Sequence, residues 1–152
     1  MYLTALREKV SQGDIFQSLV YRYVYQETQA SDPMIRSRLI RAMLLTYDCE
    51  YDKPEAAYVY MAELRLLEEI SKSTRGNVRS RRVFNAFPLE TSSLLLDEYY
   101  VDFRRILRFD KTVIAESDLA SNRVISITDT SRLALQQQMS VFFGFERDTS
   151  PE

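Results

Sequence analysis

The chain has 152 residues, 45% of them hydrophobic and 12% aromatic, enough for one domain, 1–152, with its own core. Twenty Lys and Arg oppose 22 Asp and Glu for a formal net charge of -2, so nucleic acid or an anionic membrane could be held only by a local patch. With no histidine, no tryptophan, one cysteine and three glycines, the sequence excludes His-dependent acid-base catalysis, Ser-His-Asp and Cys-His arrangements, His zinc sites, an internal disulfide and Gly-rich phosphate loops.

In chain order, LTALREKV (3–10) is expected to form a short leading helix and SQGD a turn. IFQSLVYRYVY is dense in β-branched and aromatic residues, and period-two alternation places Ile15, Leu19, Tyr21 and Tyr23 on one face of a strand. Residues 26–36 read as a polar, mobile connection, RLIRAMLLTY (38–47) as a second buried strand, and DCEYDKPE as its acidic end at Pro54. The stretch 57–72 reads as a strand to about Leu64 and a helix from about Leu66, with Glu68 and Glu69 in its first turn. VFNAFPLE is a short strand stopped by Pro88, and YYVDFRRILRF (99–109) a longer one with Val101, Phe103, Leu107 and Phe109 on one face. After a polar segment and a last strand in RVISIT comes an amphipathic helix. Its Leu135, Met139, Phe142 and Phe143 follow helical spacing, Thr128 to Thr130 offer cap oxygens, Gly144 suits the C-terminal cap, and ERDTSPE is expected to fray.

Cys49 lies between Asp48 and Glu50, which push its thiol away from the reactive thiolate, so it is expected to be a strand-edge residue, buried or half-buried. Asp48, Glu50 and Asp52 lack the spacing and turn glycine of a calcium loop, and neither a metal nor a cofactor is expected. Arg75, Arg79, Arg81 and Arg82, with Arg104, Arg105 and Arg108 if their strands approach, form the best positive feature. Guanidinium groups grip phosphates while Phe84, Phe87, Tyr99 and Tyr100 supply stacking surfaces. The alternative is a solvated face whose arginines pair with the chain's own acids. Arg41, inside LIRAMLL, either pairs internally with Asp14 or Asp48 or lines a cleft where it stabilises a phosphoryl transition state.

The order GDIF, a loop, RAMLLTYD, YVYMAEL, YYVDFRRILRFD and a closing helix ending in FFGF resembles the MazF/PemK-like toxin barrels over most of residues 12–145. The resemblance implies a small antiparallel β-barrel (core about 12–128) and a homodimer that acts on single-stranded RNA and is blocked by an antitoxin-like protein partner. Arg41 falls at the family's second-strand arginine. RA replaces the family's RP, Met61, Ala62 and Glu63 stand where a hydroxyl is expected, and RLLEEISKSTRGNVRSRR is an insertion. The expectation is therefore an α+β, mainly β domain, a small antiparallel barrel with an inserted helix and a packed C-terminal helix at about 130–143. It is expected to be a cytoplasmic binding module without a membrane span that contacts RNA or protein through its arginines. The alternative is a metal-independent endoribonuclease with Arg41, Glu63 and Asp14 as catalytic residues.

Overall fold

The computed structural model describes residues 1–144. Its elements are β1 (Asp14–Tyr25), β2 (Met34–Leu44), α1 (Asp48–Tyr51), β3 (Tyr58–Leu66), a 3-10 turn (Leu67–Glu69), α2 (Lys72–Arg79), β4 (Ala86–Pro88), β5 (Tyr99–Asp110), α3 (Lys111–Leu119), β6 (Arg123–Ser126) and α4 (Asp129–Phe142). The six strands form one antiparallel sheet in the order β4-β5-β3-β2-β1-β6. The fold is α+β and mainly β. β4 and β6 are its edges, and the barrel closure expected from the resemblance is not part of this strand order.

Alternation along the central strands sends side chains into two cores. Met43, Ala62 and Leu64 meet Leu135 and Met139 of α4 on one face, whereas Leu44, Val59, Met61 and Phe109 meet Ile114 of α3 on the other. A smaller core of Leu67, Val78, Ala86 and Tyr100 lies beneath α2. Thr128 caps α4 by accepting from Ser131 N, as its hydroxyl suggested, and Phe142 packs on Phe103 with ring centroids 5.7 Å apart. Phe145 and the tail ERDTSPE lie outside the described residues.

Several local expectations change. Residues 3–10 are not helical; Tyr2 bridges to Ile127 and Leu3 N bonds to Ser126 O at 2.9 Å, so the N-terminus borders the sheet. Gly13 has φ +88, and a Cβ there would stand 2.5 Å from Ile127 Cγ1, which fits the turn into β1 to glycine. β1 carries a bulge at Ser18 (φ 58) that shifts the pairing between Phe16 and Leu19. Ile15 therefore joins the α4-side core while Leu19 and Tyr21 join the α3 side, against their expected common face. β5 is irregular in the same way: Val101 opposes Leu64 and Ile106 opposes Ala62, so Val101 and Phe103 face one core and Leu107 and Phe109 the other. The helix expected from Leu66 starts at Lys72, because Leu66 completes β3 and Glu68 and Glu69 form the 3-10 turn. β2 begins at Met34 within the expected loop, and the polar segment after β5 is α3, capped by Asp110 accepting from Thr112 N at 2.9 Å. Cys49 is exposed on α1, not part of a strand edge.

Candidate nucleic-acid interface

β1 and β2 pair as far as Tyr25 with Met34, but β2 meets β3 only over Ala42–Leu44 and β1 meets β6 only over Asp14–Phe16. Residues 19–25 and 34–40 are therefore a two-stranded ribbon with no third strand on either edge among the described residues. Directly opposed residues share a face, so Tyr21 with Arg38, Tyr23 with Arg36 and Tyr25 with Met34 line one side. Val20 with Leu39 and Val24 with Ile35 line the other, and Val24 (71%) and Ile35 (79%) are among the most exposed apolar side chains.

On the tyrosine side the rings of Tyr21 and Tyr23 stack with centroids 6.1 Å apart and planes 15° from parallel. The Arg36 guanidinium lies 3.8 Å from the Tyr25 ring centre, and that of Arg38 5.7 Å from Tyr21. The row continues into the sheet through shared carboxylates. Arg38 Nη1 donates to Glu63 Oε1 at 2.5 Å and Nη2 to Oε2 at 3.0 Å, and Arg105 Nη1 stands 3.6 Å from the same Oε2. Arg105 Nε lies 4.0 Å from Asp102 Oδ2, and Arg104 holds Asp102 by two bonds of 2.9 and 3.0 Å. Arg104, Arg105 and Asp102 then line a cleft of about 590 Å³ with Arg65, Glu69 and Tyr100, in which Arg65 is hydrogen-bonded to Glu69.

These contacts set the charges. The Arg38 hydrogen bonds hold the Glu63 carboxyl below its ordinary range despite its burial. Burial pushes Asp102 upward, but the Arg104 side-chain and backbone bonds outweigh it and the group sits low. Burial and the Asp102 charge push the Tyr100 phenol up, so it stays a neutral donor. Both carboxylates are therefore ionised partners of the arginines, poorly placed as bases.

Of the residues singled out in the sequence, Arg104, Arg105, Tyr100 and Glu63 belong to this row and its cleft. Arg41 does not: it donates to the Tyr99 hydroxyl, with its guanidinium 4.9 Å from that ring. Glu63 opposes Ala42, so Arg41, the adjacent residue, points to the opposite face of the sheet. Asp14 is fully buried and accepts from Ser126 Oγ (2.6 Å), Ser11 N (2.8 Å) and Arg123 Nη1 (3.0 Å). Asp48 is bound by Gln12 N and Arg132 rather than by Arg41. Arg41, Glu63 and Asp14 are thus not gathered into one site. Arg75 is folded back onto the carbonyls of Ile70 and Glu68, Arg79 pairs with Glu98 by bonds of 2.9 and 2.6 Å, Arg81 stacks on Phe87 and Arg108 on Tyr58. Arg82 is exposed and has no ion pair among the described residues. No group of three His, Cys, Asp or Glu side chains that could hold a metal occurs among the described residues.

Sequence reasoning missed Tyr25, Arg36, Arg38 and Arg65 as members of one surface. The signal was the alternation in YRYVY and RSR, which places the tyrosines on one side of β1 and the two arginines on the matching side of β2. No model of a known protein family matches the chain, and no curated protein matches it. No helix among the described residues is long and apolar enough to cross a membrane.

Proposed function

We propose that the protein is a binding module for single-stranded RNA, which it contacts through the tyrosine side of the β1–β2 ribbon and the arginine row that follows it. The observation that carries this reading is the half-exposed face on which Tyr21, Tyr23 and Tyr25 alternate with Arg36 and Arg38 across the ribbon, with Tyr21 leaning on Phe109 at its inner end. Aromatic rings accept unpaired bases whatever their sequence, and guanidinium groups grip the phosphates between them. Among the described residues Arg36 has only a ring partner, and Arg105 has its two carboxylates at 3.6 and 4.0 Å, so both keep donors for phosphate. The same reading takes the sheet as a divergent relative of the MazF/PemK-like small barrels, active as a homodimer and open to a protein partner. It assigns the chain no cleavage chemistry, since Arg41, Glu63 and Asp14 stand apart.

The test is fluorescence anisotropy with a labelled oligouridine. The chain should bind it, and Arg36→Ala and Tyr23→Ala should each weaken binding about tenfold, in line with about 1–3 kcal/mol per stacked base. Both side chains lie on the ribbon surface, so the variants are expected to fold. Absence of binding at low salt, or binding by both variants as tight as that of the unchanged chain, would refute the reading.

A further inference from the structure

A second cleft, of about 510 Å³, opens on the α4 face of the sheet. Its floor is Leu45, Ile106 and Met139, and its walls are the rings of Tyr47, Tyr58, Tyr60 and Phe143, each of them 42% to 52% exposed. That size is ordinary for a small-molecule site, and four rings around an apolar floor with few polar groups make the usual lining of one. The wall is braced from behind: Tyr60 N donates to Thr46 Oγ1 at 2.8 Å and Leu45 N to Tyr60 O at 2.9 Å, which ties β3 to the segment after β2.

Among the described residues Glu50 is the one charged residue that lines the cleft. Its partner Lys53, at 2.7 Å, forms an exposed i,i+3 pair of the kind that water and salt readily loosen. Two other cations near this region are already placed on rings, Arg108 over Tyr58 at 4.5 Å and Lys111 over Tyr51 at 4.9 Å. Tyr47 and Tyr60 carry none among the described residues. Aromatic faces are electron-rich, a carboxylate stands at the edge, and the floor is apolar; that combination selects a cation wrapped in methyl or methylene groups.

We infer that this cleft is a binding site for a small soluble organic cation of the quaternary-ammonium class, held by the faces of Tyr47 and Tyr60 with Glu50 supplying the opposite charge. The site lies apart from the arginine row and does not depend on RNA binding. A neutral molecule of the same shape fills the same floor but gains neither the ring attraction nor the carboxylate, so charge is the property the site reads.

The chain has no tryptophan, and three of its ten tyrosines, Tyr47, Tyr58 and Tyr60, line the cleft, so part of its tyrosine emission reports on binding there, while the Ala56→Trp variant is read by calorimetry. Choline and its neutral isostere 3,3-dimethylbutan-1-ol are titrated at low salt against that signal and by calorimetry. Choline should bind about tenfold tighter than the isostere, Glu50→Gln should remove most of the difference, and Ala56→Trp, which fills the cleft, should abolish binding of both. Tyr60→Ala should act like the filling variant, while its circular dichroism and melting show that the fold is kept. Equal affinity for choline and the isostere, binding that survives Ala56→Trp, or no binding of choline would each overturn the proposal. Sedimentation with phosphatidylcholine vesicles in the absence of choline binding would overturn it as well, by assigning the headgroup to a lipid.

Discussion

At Glu63 two structural demands meet in one side chain. It sits in a central strand where an apolar residue would pack, and it stays charged because Arg38 approaches it in a forked geometry and Arg105 adds a looser contact. Its carboxyl lies lower in the folded chain than in the unfolded one. Stability from this pair is therefore fully present above the ordinary carboxylate range and is lost as pH falls through the folded value. Thermal melting from neutral pH into acid should show this loss, and Glu63→Gln should be less stable at neutral pH with a flatter acid limb; an unchanged acid limb would contradict it. Asp14 acts in the reverse direction, because burial raises its carboxyl and its ionisation costs folding free energy as pH rises from the ordinary range. The sequence marked both acids as notable and offered Arg41 as a neighbour of each, whereas the structure gives them other arginines. Which arginine reaches which carboxylate depends on strand register, and Arg41 lost Asp14 to Arg123 and Glu63 to Arg38 through the facing of its strand.

Element by element, α4 was legible from its regular helical period, β2 and β3 only as short apolar runs whose period also allowed a helix, and facing was illegible where a strand changes face. The bulge at Ser18 turns β1 from one core to the other, and the slip after Val101 does the same for β5. Neither carries a glycine or proline as a signal. α3 escaped notice because its apolar residues are sparse and only Ile114 and Ser117 are buried, so its helical state rests on the Asp110 cap and the β5 packing below it. The same bulge is the geometric origin of the ribbon, since beyond it β1 leaves β6 behind and continues with β2 alone. Ser18 occupies a left-handed conformation (φ 58) in which glycine is unstrained and a β-branched residue is costly. Ser18→Gly should raise stability by up to about 1 kcal/mol and Ser18→Val should lower it by about 2 kcal/mol, read from urea unfolding. If Ser18→Val were the more stable variant, the left-handed bulge would not be what sets the register of β1.

For the molecule as a whole, a net charge of -2 gives nucleic acid no long-range attraction, so any affinity comes from the spacing of charges on one surface. The row from Arg36 to Arg65 holds five arginines, Arg36, Arg38, Arg105, Arg104 and Arg65, against three carboxylates, Glu63, Asp102 and Glu69, a local excess of two positive charges. Two of these arginines, Arg36 and Arg105, are open enough to take a phosphate without unmaking the Arg38–Glu63 and Arg104–Asp102 pairs. Two phosphates on a single strand give a slope of about -1.4 for log affinity against log salt, and Arg36→Ala should reduce its magnitude by about 0.7. The arginines of α2 are the internal control. Arg79 is spent on Glu98 and Arg75 on backbone carbonyls, so Arg79→Ala should leave both the affinity and the slope unchanged while loosening the contact of α2 with the segment before β5. A slope near zero would remove phosphate contacts from the account. A slope that falls with Arg79→Ala and not with Arg36→Ala would move the interface from the ribbon to α2, where the density of arginines in the sequence first drew attention.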